Sequence, residues 1–260
     1  MTISTRFESS TFTLHRGDAV EVMKTIESES IDFVFADPPY FLSNDGFSVQ
    51  SGKQVSVNKG EWDRSRGLQA DFDFHVKWMA EAKRVLAPNG TIAVSGTYHS
   101  IYQCGFALQS LDFRLLNEIV WLKPNAAPNL GGRNFAAAHE TVVWASKAKT
   151  SKHVFNYQQM KESAFEGDPL KAPGRQMRTV WSIPTAPARE KTFGRHPTQK
   201  PLALLERLIM ACTTAGDLVL DPFCGSGTTG VAAISNGRDF IGIDSEIEYI
   251  ELTRKRLGAI

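Results

Sequence analysis

Three cysteines, Cys104, Cys212 and Cys224, are scattered along the 260-residue chain without a CxxC pair. That scarcity excludes a disulfide framework and leaves no zinc pattern, so no metal is expected. No apolar run approaches the ~20 residues that span a bilayer, so no membrane partner is expected. The opening MTISTRFESSTF lacks the apolar core of a secretory leader. A cytoplasmic protein is the resulting expectation. Charge imbalance is missing too: the net charge is +1, which names no partner. There is no internal repeat or low-complexity segment, and the sequon Asn89-Gly90-Thr91 reads as a turn before a strand.

What is present is an ordinary globular composition, 42% hydrophobic and 22% charged, enough for one large α/β domain carrying an insertion. Strand-like runs fall at 12–15, 31–36, 91–95, 118–122, 141–145, 218–220 and 240–243. Helical patterns lie between several of them. Phe74, Trp78, Ala82 and Val85 recur at helical spacing before the turn Pro88-Asn89-Gly90, and Pro201 opens a second pattern with Leu202, Leu205, Leu208, Ile209 and Cys212 on one face. Such alternation predicts a parallel sheet with helices on both faces.

Two stretches break this rhythm. From Leu42 to about Ala70 the chain is polar and rich in Gly, Ser and Asn, which reads as a lid or binding loop. From Lys147 to Lys200 there are eleven Lys and Arg against four Asp and Glu, interleaved with Phe155, Tyr157, Phe165, Trp181 and Phe193. A basic block with aromatics on a near-neutral chain is a polyanion footprint or a solvated face.

The first break follows a chemically odd corner. FVFADPPY carries an apolar strand into an acid and two prolines, Asp37-Pro38-Pro39-Tyr40. The prolines donate no backbone hydrogen bond and bar a helix at Asp37, so Asp37 and Tyr40 sit on a stiff strand exit.

Near the other end, DLVLDPFCGSGTTG reads as a strand, a glycine turn and a helix start. Gly225, Gly227 and Gly230 satisfy G-x-G-x-x-G, and Asp244 lies 23 residues after Asp221. The pattern predicts a Rossmann-type nucleotide site, with the acid on ribose hydroxyls. A dinucleotide fits poorly, because only 16 residues follow Asp244 and the Asp221 carboxylate would repel a pyrophosphate. S-adenosylmethionine (AdoMet) has an ammonium, a sulfonium, a ribose and no phosphate, and suits that acid. The missing strands must then come from the N-terminal part, as a circular permutation.

Three motifs in this order, Asp37–Tyr40, His196-Pro197-Thr198-Gln199-Lys200-Pro201 and Asp221–Thr229, resemble the β class of DNA amino-methyltransferases. Gly17-Asp18-Ala19 and Trp121-Leu122-Lys123-Pro124-Asn125 extend the resemblance over nearly the whole chain. The short adenine methyltransferases beside GATC-type restriction systems are the most similar in pattern. The resemblance implies a circularly permuted Rossmann-like sheet with an inserted target-recognition region. It divides the chain into a catalytic half (1–146), that region (147–193) and an AdoMet half (194–260). It implies Asp37, Pro38, Pro39 and Tyr40 as the clamp on a flipped base. AdoMet falls to Asp18, Ala19, Asp37, Thr198, Lys200, Asp221, Phe223, Gly225, Ser226, Gly227, Thr228 and Asp244, with Glu246 a rival to Asp244 for the ribose. Lys53, Lys59, Trp62, Arg133, Arg175 and Arg178 are candidates for DNA contact. A homodimer and a cognate restriction endonuclease are the implied partners. The expected reaction is methylation of adenine N6; cytosine N4, a silent DNA-binding module and a nicotinamide dehydrogenase are the alternatives.

Overall fold

A computed structural model describes residues 1–6, 10–41, 47–50, 53–56 and 63–260, with the backbone only at 6, 47–50 and 53–56. The strands are β1 (Thr2–Arg6), β2 (Thr11–Arg16), β3 (Ile31–Ala36), β4 (Phe47–Gln50), β5 (Lys53–Ser56), β6 (Leu86–Gly96), β7 (Arg114–Leu122), β8 (His139–Ser146), β9 (Val180–Ser182), β10 (Leu218–Asp221) and β11 (Asp239–Asp244). The helices are α1 (Ala19–Met23), α2 (Leu68–Val85), α3 (Ile101–Ser110), α4 (Tyr157–Glu162), α5 (Leu202–Cys212), α6 (Thr228–Ser235) and α7 (Ile247–Leu257). None of the described helices is long and apolar enough to cross a membrane.

Among the described residues nine strands form one sheet in the order β1-β2-β11-β10-β3-β6-β8-β7-β9, and β4 and β5 pair as a separate hairpin. From β2 to β6 every pairing is parallel, while β8 runs against both β6 and β7. The last two strands of the chain thus sit between β2 and β3, which realises the expected permutation. All seven predicted strands are present. The polar stretch after Tyr40 contains the β4–β5 hairpin and yields to α2 at Leu68.

Central strands of a parallel sheet are covered on both faces and need apolar residues at every position. In β3, Phe33 and Phe35 join the core built with α5, α6 and α7, whereas Val34 and Ala36 join the core built with α1, α2 and α3. The basic segment is pinned to the first core. Arg207 on α5 pairs with Asp168 at 2.7 Å, both buried, and its guanidinium lies 4.1 Å from the ring centre of Phe165 and 5.0 Å from that of Trp181. Within the same segment β9 joins the sheet edge, parallel to β7.

Candidate active site

The order of strands reverses between β10 and β3, and ligands of such sheets bind outside the carboxyl ends at that point. Asp221 ends β10 and Asp37 follows β3, so the sheet brings the two acids to one crevice. A cavity of about 250 Å³ opens there. Asp18, Ala19, Asp37, Pro38, Pro39, Tyr40, Thr198, Lys200, Asp221, Phe223, Gly225, Ser226, Thr228 and Asp244 all line it, as does Glu246.

Gly227 does not line it. It sits at φ 73°, where a Cβ would overlap Thr253 of α7, so this glycine serves the turn and the helix packing. Gly230 has a similar reason, since its Cβ would fall 2.5 Å from the Phe240 ring. Gly225, at φ 49°, passes directly under His196, whose ring packs edge-on against Tyr249 at 4.4 Å. His196 therefore roofs the glycine turn, a task that its place in the motif did not reveal.

On the cofactor side the acids are held by neutral donors. Asp221 accepts the Thr229 hydroxyl at 2.5 Å and the Phe223 amide at 3.0 Å, and burial pushes its carboxyl up to about 7. Asp244 accepts the amides of Gly225 and Glu246, each at 2.9 Å, and burial raises it to about 6. Glu246 is exposed at the cavity wall, with Ser245 Oγ at 3.2 Å. Asp18 caps α1 through the amides of Val20 and Glu21. At the α6 N-terminus, buried Arg256 donates to the Ser226 carbonyl and the Thr228 hydroxyl, adding positive charge to the helix end. A buried carboxylate with no cationic partner among the described residues, beside an electropositive helix start, fits the ammonium and carboxylate of AdoMet.

The DPPY side is a network of charges. Asp37 Oδ1 accepts the Tyr40 hydroxyl at 2.6 Å, and Oδ2 pairs with the Lys200 ammonium. Lys200 also lies 3.1 Å from the Tyr40 hydroxyl and 3.5 Å from Glu140 Oε2, and Lys123 pairs with Glu140 Oε1 at 2.5 Å. Burial raises Asp37 despite Lys200. Burial would raise Glu140 as well, but Lys200 and Lys123 outweigh it and hold that carboxyl at about 2. Tyr40 is raised well above its ordinary value by burial and the two carboxylates, so it stays a donor. Asp63 locks the corner by accepting the amides of Tyr40 and Phe41, each at 2.9 Å, with Phe41 held at φ 58°. Phe41 packs on α2, 5.7 Å from Phe74 and 5.6 Å from His75 between ring centres.

Glu140, Asp63 and Arg256 were missed from sequence, and Lys123 was noted only as part of a motif. The reversed direction of β8 explains Glu140: its first residues lie beside the carboxyl end of β6, at the same sheet edge as Asp37, and beside the end of β7 that delivers Lys123. The candidate DNA contacts Arg133, Arg175 and Arg178 are exposed. Lys59, Trp62 and the side chain of Lys53 lie outside the described residues. Buried Cys224 has its thiol pushed well above its ordinary value by burial, which leaves it inert.

Comparison with known proteins places this geometry. A model of the N6/N4 DNA methylase family matches residues 31–255. The type II methyltransferase M2.LlaDCHI of Lactococcus lactis subsp. cremoris is 48% identical over 253 residues, covering 97% of this chain and 91% of the relative. M2.DpnII of Streptococcus pneumoniae is 48% identical over 247 residues, covering 95% and 89%. The structure of an M1.HpyAVI–SAM complex superposes with a TM-score of 0.68 at 29% identity, over 95% of this chain and 98% of that one. The chain belongs to the N6/N4 DNA methylase family and is a DNA methyltransferase whose methyl donor is S-adenosylmethionine.

Proposed function

We propose that the chain methylates adenine N6, on a base rotated out of DNA, within a short site of the GATC type. The observation that carries this reading is the placement of Asp37, on a proline-stiffened corner, one strand from Asp221 at the same crevice. Bound AdoMet supplies an electrophilic methyl group on a sulfonium. An exocyclic amino nitrogen is a weak nucleophile because its lone pair is delocalised into the ring. Asp37 accepts one N–H and the Pro38 carbonyl the other, which draws the nitrogen toward tetrahedral geometry and frees that lone pair. The carboxylate also stabilises the positive charge that develops on nitrogen, in a site that needs little reorganisation. Rotating the base out of the stack costs about a few kcal/mol. Tyr40, which lines the cavity, packs on the rotated base. Asp221 takes the ammonium of AdoMet, Asp244 or Glu246 its ribose, Asp18 with Ala19 its adenine, and Thr198 with Thr228 its carboxylate.

DNA lies across the face that carries the β7–β8 loop and the basic segment 147–193. Residues 130–137 of that loop are all exposed and include Arg133 and the fully exposed Phe135, and the loop springs from the strand ends that hold Lys123 and Glu140. Arg175 and Arg178 add phosphate contacts from the basic segment, which acts as the target-recognition region between the halves 1–146 and 194–260. The exposed aromatics Tyr98, Tyr102 and Phe106 around α3 suit a homodimer contact. A restriction endonuclease of the same site completes the system, in the cytoplasm where the DNA is.

The test is labelled AdoMet with duplexes that contain or lack GATC, digested to nucleosides and read by mass spectrometry. N6-methyladenine confined to GATC duplexes is expected. N4-methylcytosine would overturn the base assignment, and label in no nucleoside would overturn the substrate.

A further inference from the structure

Methyl transfer as proposed needs an Asp37 oxygen that accepts strongly from the target amino group, and both oxygens already have a partner. Oδ1 is held by Tyr40 and Oδ2 by the Lys200 ammonium. The ammonium is the greater obstacle. It weakens the carboxylate as an acceptor, and it sets a fixed positive charge beside a nitrogen that is becoming positive. Lys200 is 5% exposed, so it cannot discharge this conflict by turning to water. A buried ammonium leaves one carboxylate only for another.

Such a second carboxylate stands beside it. Glu140 Oε2 is 3.5 Å from Lys200 Nζ, and the Tyr40 hydroxyl lies between the acids, 2.6 Å from Asp37 Oδ1 and 3.1 Å from Glu140 Oε2. The other Glu140 oxygen is fixed by Lys123 at 2.5 Å, so the carboxylate is held in place and Oε2 faces the lysine. Two acids and two lysines keep the cluster balanced in either pairing.

We propose that Glu140 is the exchange counter-ion of Lys200: when the target amino group enters, Lys200 passes from Asp37 to Glu140 and thereby releases the oxygen that accepts the N–H. No proton moves, and the ion pair is traded within the cluster. Glu140 is thus a positioning residue, acting on the reaction through Lys200. This inference rests on Asp37 being the acceptor of the target amino group.

The test is single-turnover methyl transfer at saturating AdoMet and DNA. Glu140→Gln keeps the shape of the side chain but offers no charge, so Lys200 stays on Asp37. A rate loss of about 30-fold or more is expected, with AdoMet and DNA dissociation constants within about threefold of the parent. Adding Lys200→Met to Glu140→Gln removes the blocking ammonium and should recover at least fivefold of that loss. A Glu140→Gln rate equal to the parent overturns the exchange, and so does a double variant no faster than Glu140→Gln. If Glu140→Gln does not fold, as judged by its thermal melt, Glu140→Met, which is equally uncharged, replaces it in both arms and is subject to the same criteria. Loss of activity in Asp37→Ala with either overturning result would sink the exchange alone. Retained activity in Asp37→Ala would sink the underlying assignment.

Discussion

Asp37 and Asp221 stand at the carboxyl ends of neighbouring strands at one crevice, yet the chain treats them in opposite ways. Asp221 is held by a hydroxyl and a backbone amide, with no cation among the described residues, and burial lifts it to about 7. Asp37 is held by an ammonium and a phenol. The first is a fixed receptor that lacks a positive partner until the cofactor brings one. The second carries its partner already and must part with it. A receptor for a cation gains by waiting unpaired, whereas an acceptor for a neutral amino group must be ionised beforehand and kept so by the protein's own charges.

The largest expected effect comes from depriving each acid of what it has. Lys200→Met leaves Asp37 and Glu140 buried without their shared cation and should destabilise the fold by about 3–5 kcal/mol at pH 8. The loss should shrink toward pH 5, where a protonated carboxyl needs no partner. Asp221→Asn should do the reverse. Its carboxyl titrates higher in the fold than the ordinary 3.8, so its favourable contribution is complete below about 4 and is lost as pH rises through 7. Removing the charge should therefore stabilise the free protein by about 1–3 kcal/mol at pH 8, with the gain fading as pH falls toward 4. Denaturant titrations at pH 5 and 8 check both signs. Equal behaviour of the two variants would dissolve the contrast.

A smaller effect sharpens the cofactor side alone. The ammonium of AdoMet requires ionised Asp221, so affinity should fall about tenfold from pH 8 to pH 6 and binding should release a proton near pH 7. Calorimetry in two buffers of different ionisation enthalpy measures both. Smallest is the expected effect at the DNA face: Arg133→Ala should weaken duplex binding about threefold and lower the salt slope by about one.

Sequence order revealed the permuted sheet, because an acid-tipped strand near each end and the motifs between them leave few arrangements. The strands it did not reveal are short or polar. β1 is TISTR at the sheet edge, and β9 is three residues inside the basic segment. The cavity lining was legible for the same reason that the motifs were, since each motif residue sits at a strand end or turn. Gly227 lies off the cavity lining, and a glycine pattern does not say whether a ligand or Thr253 fills the missing Cβ. The cluster Asp37, Tyr40, Lys123, Glu140 and Lys200 was illegible. It draws on segments up to 163 residues apart, and only the reversed β8 brings Glu140 to the crevice. For Lys200, the resemblance implied a cofactor contact, whereas its ion pairs are to Asp37 and Glu140.

The division of labour between the two acids is tested most directly by measuring AdoMet binding and single-turnover methylation for Asp37→Asn and Asp221→Asn side by side. Asp37→Asn should keep AdoMet affinity within about threefold and lose methyl transfer by about three orders of magnitude, or roughly 4 kcal/mol. Asp221→Asn should lose AdoMet affinity about a hundredfold while retaining much of its rate at saturation. Methyl transfer by Asp37→Asn within tenfold of the parent would contradict the account.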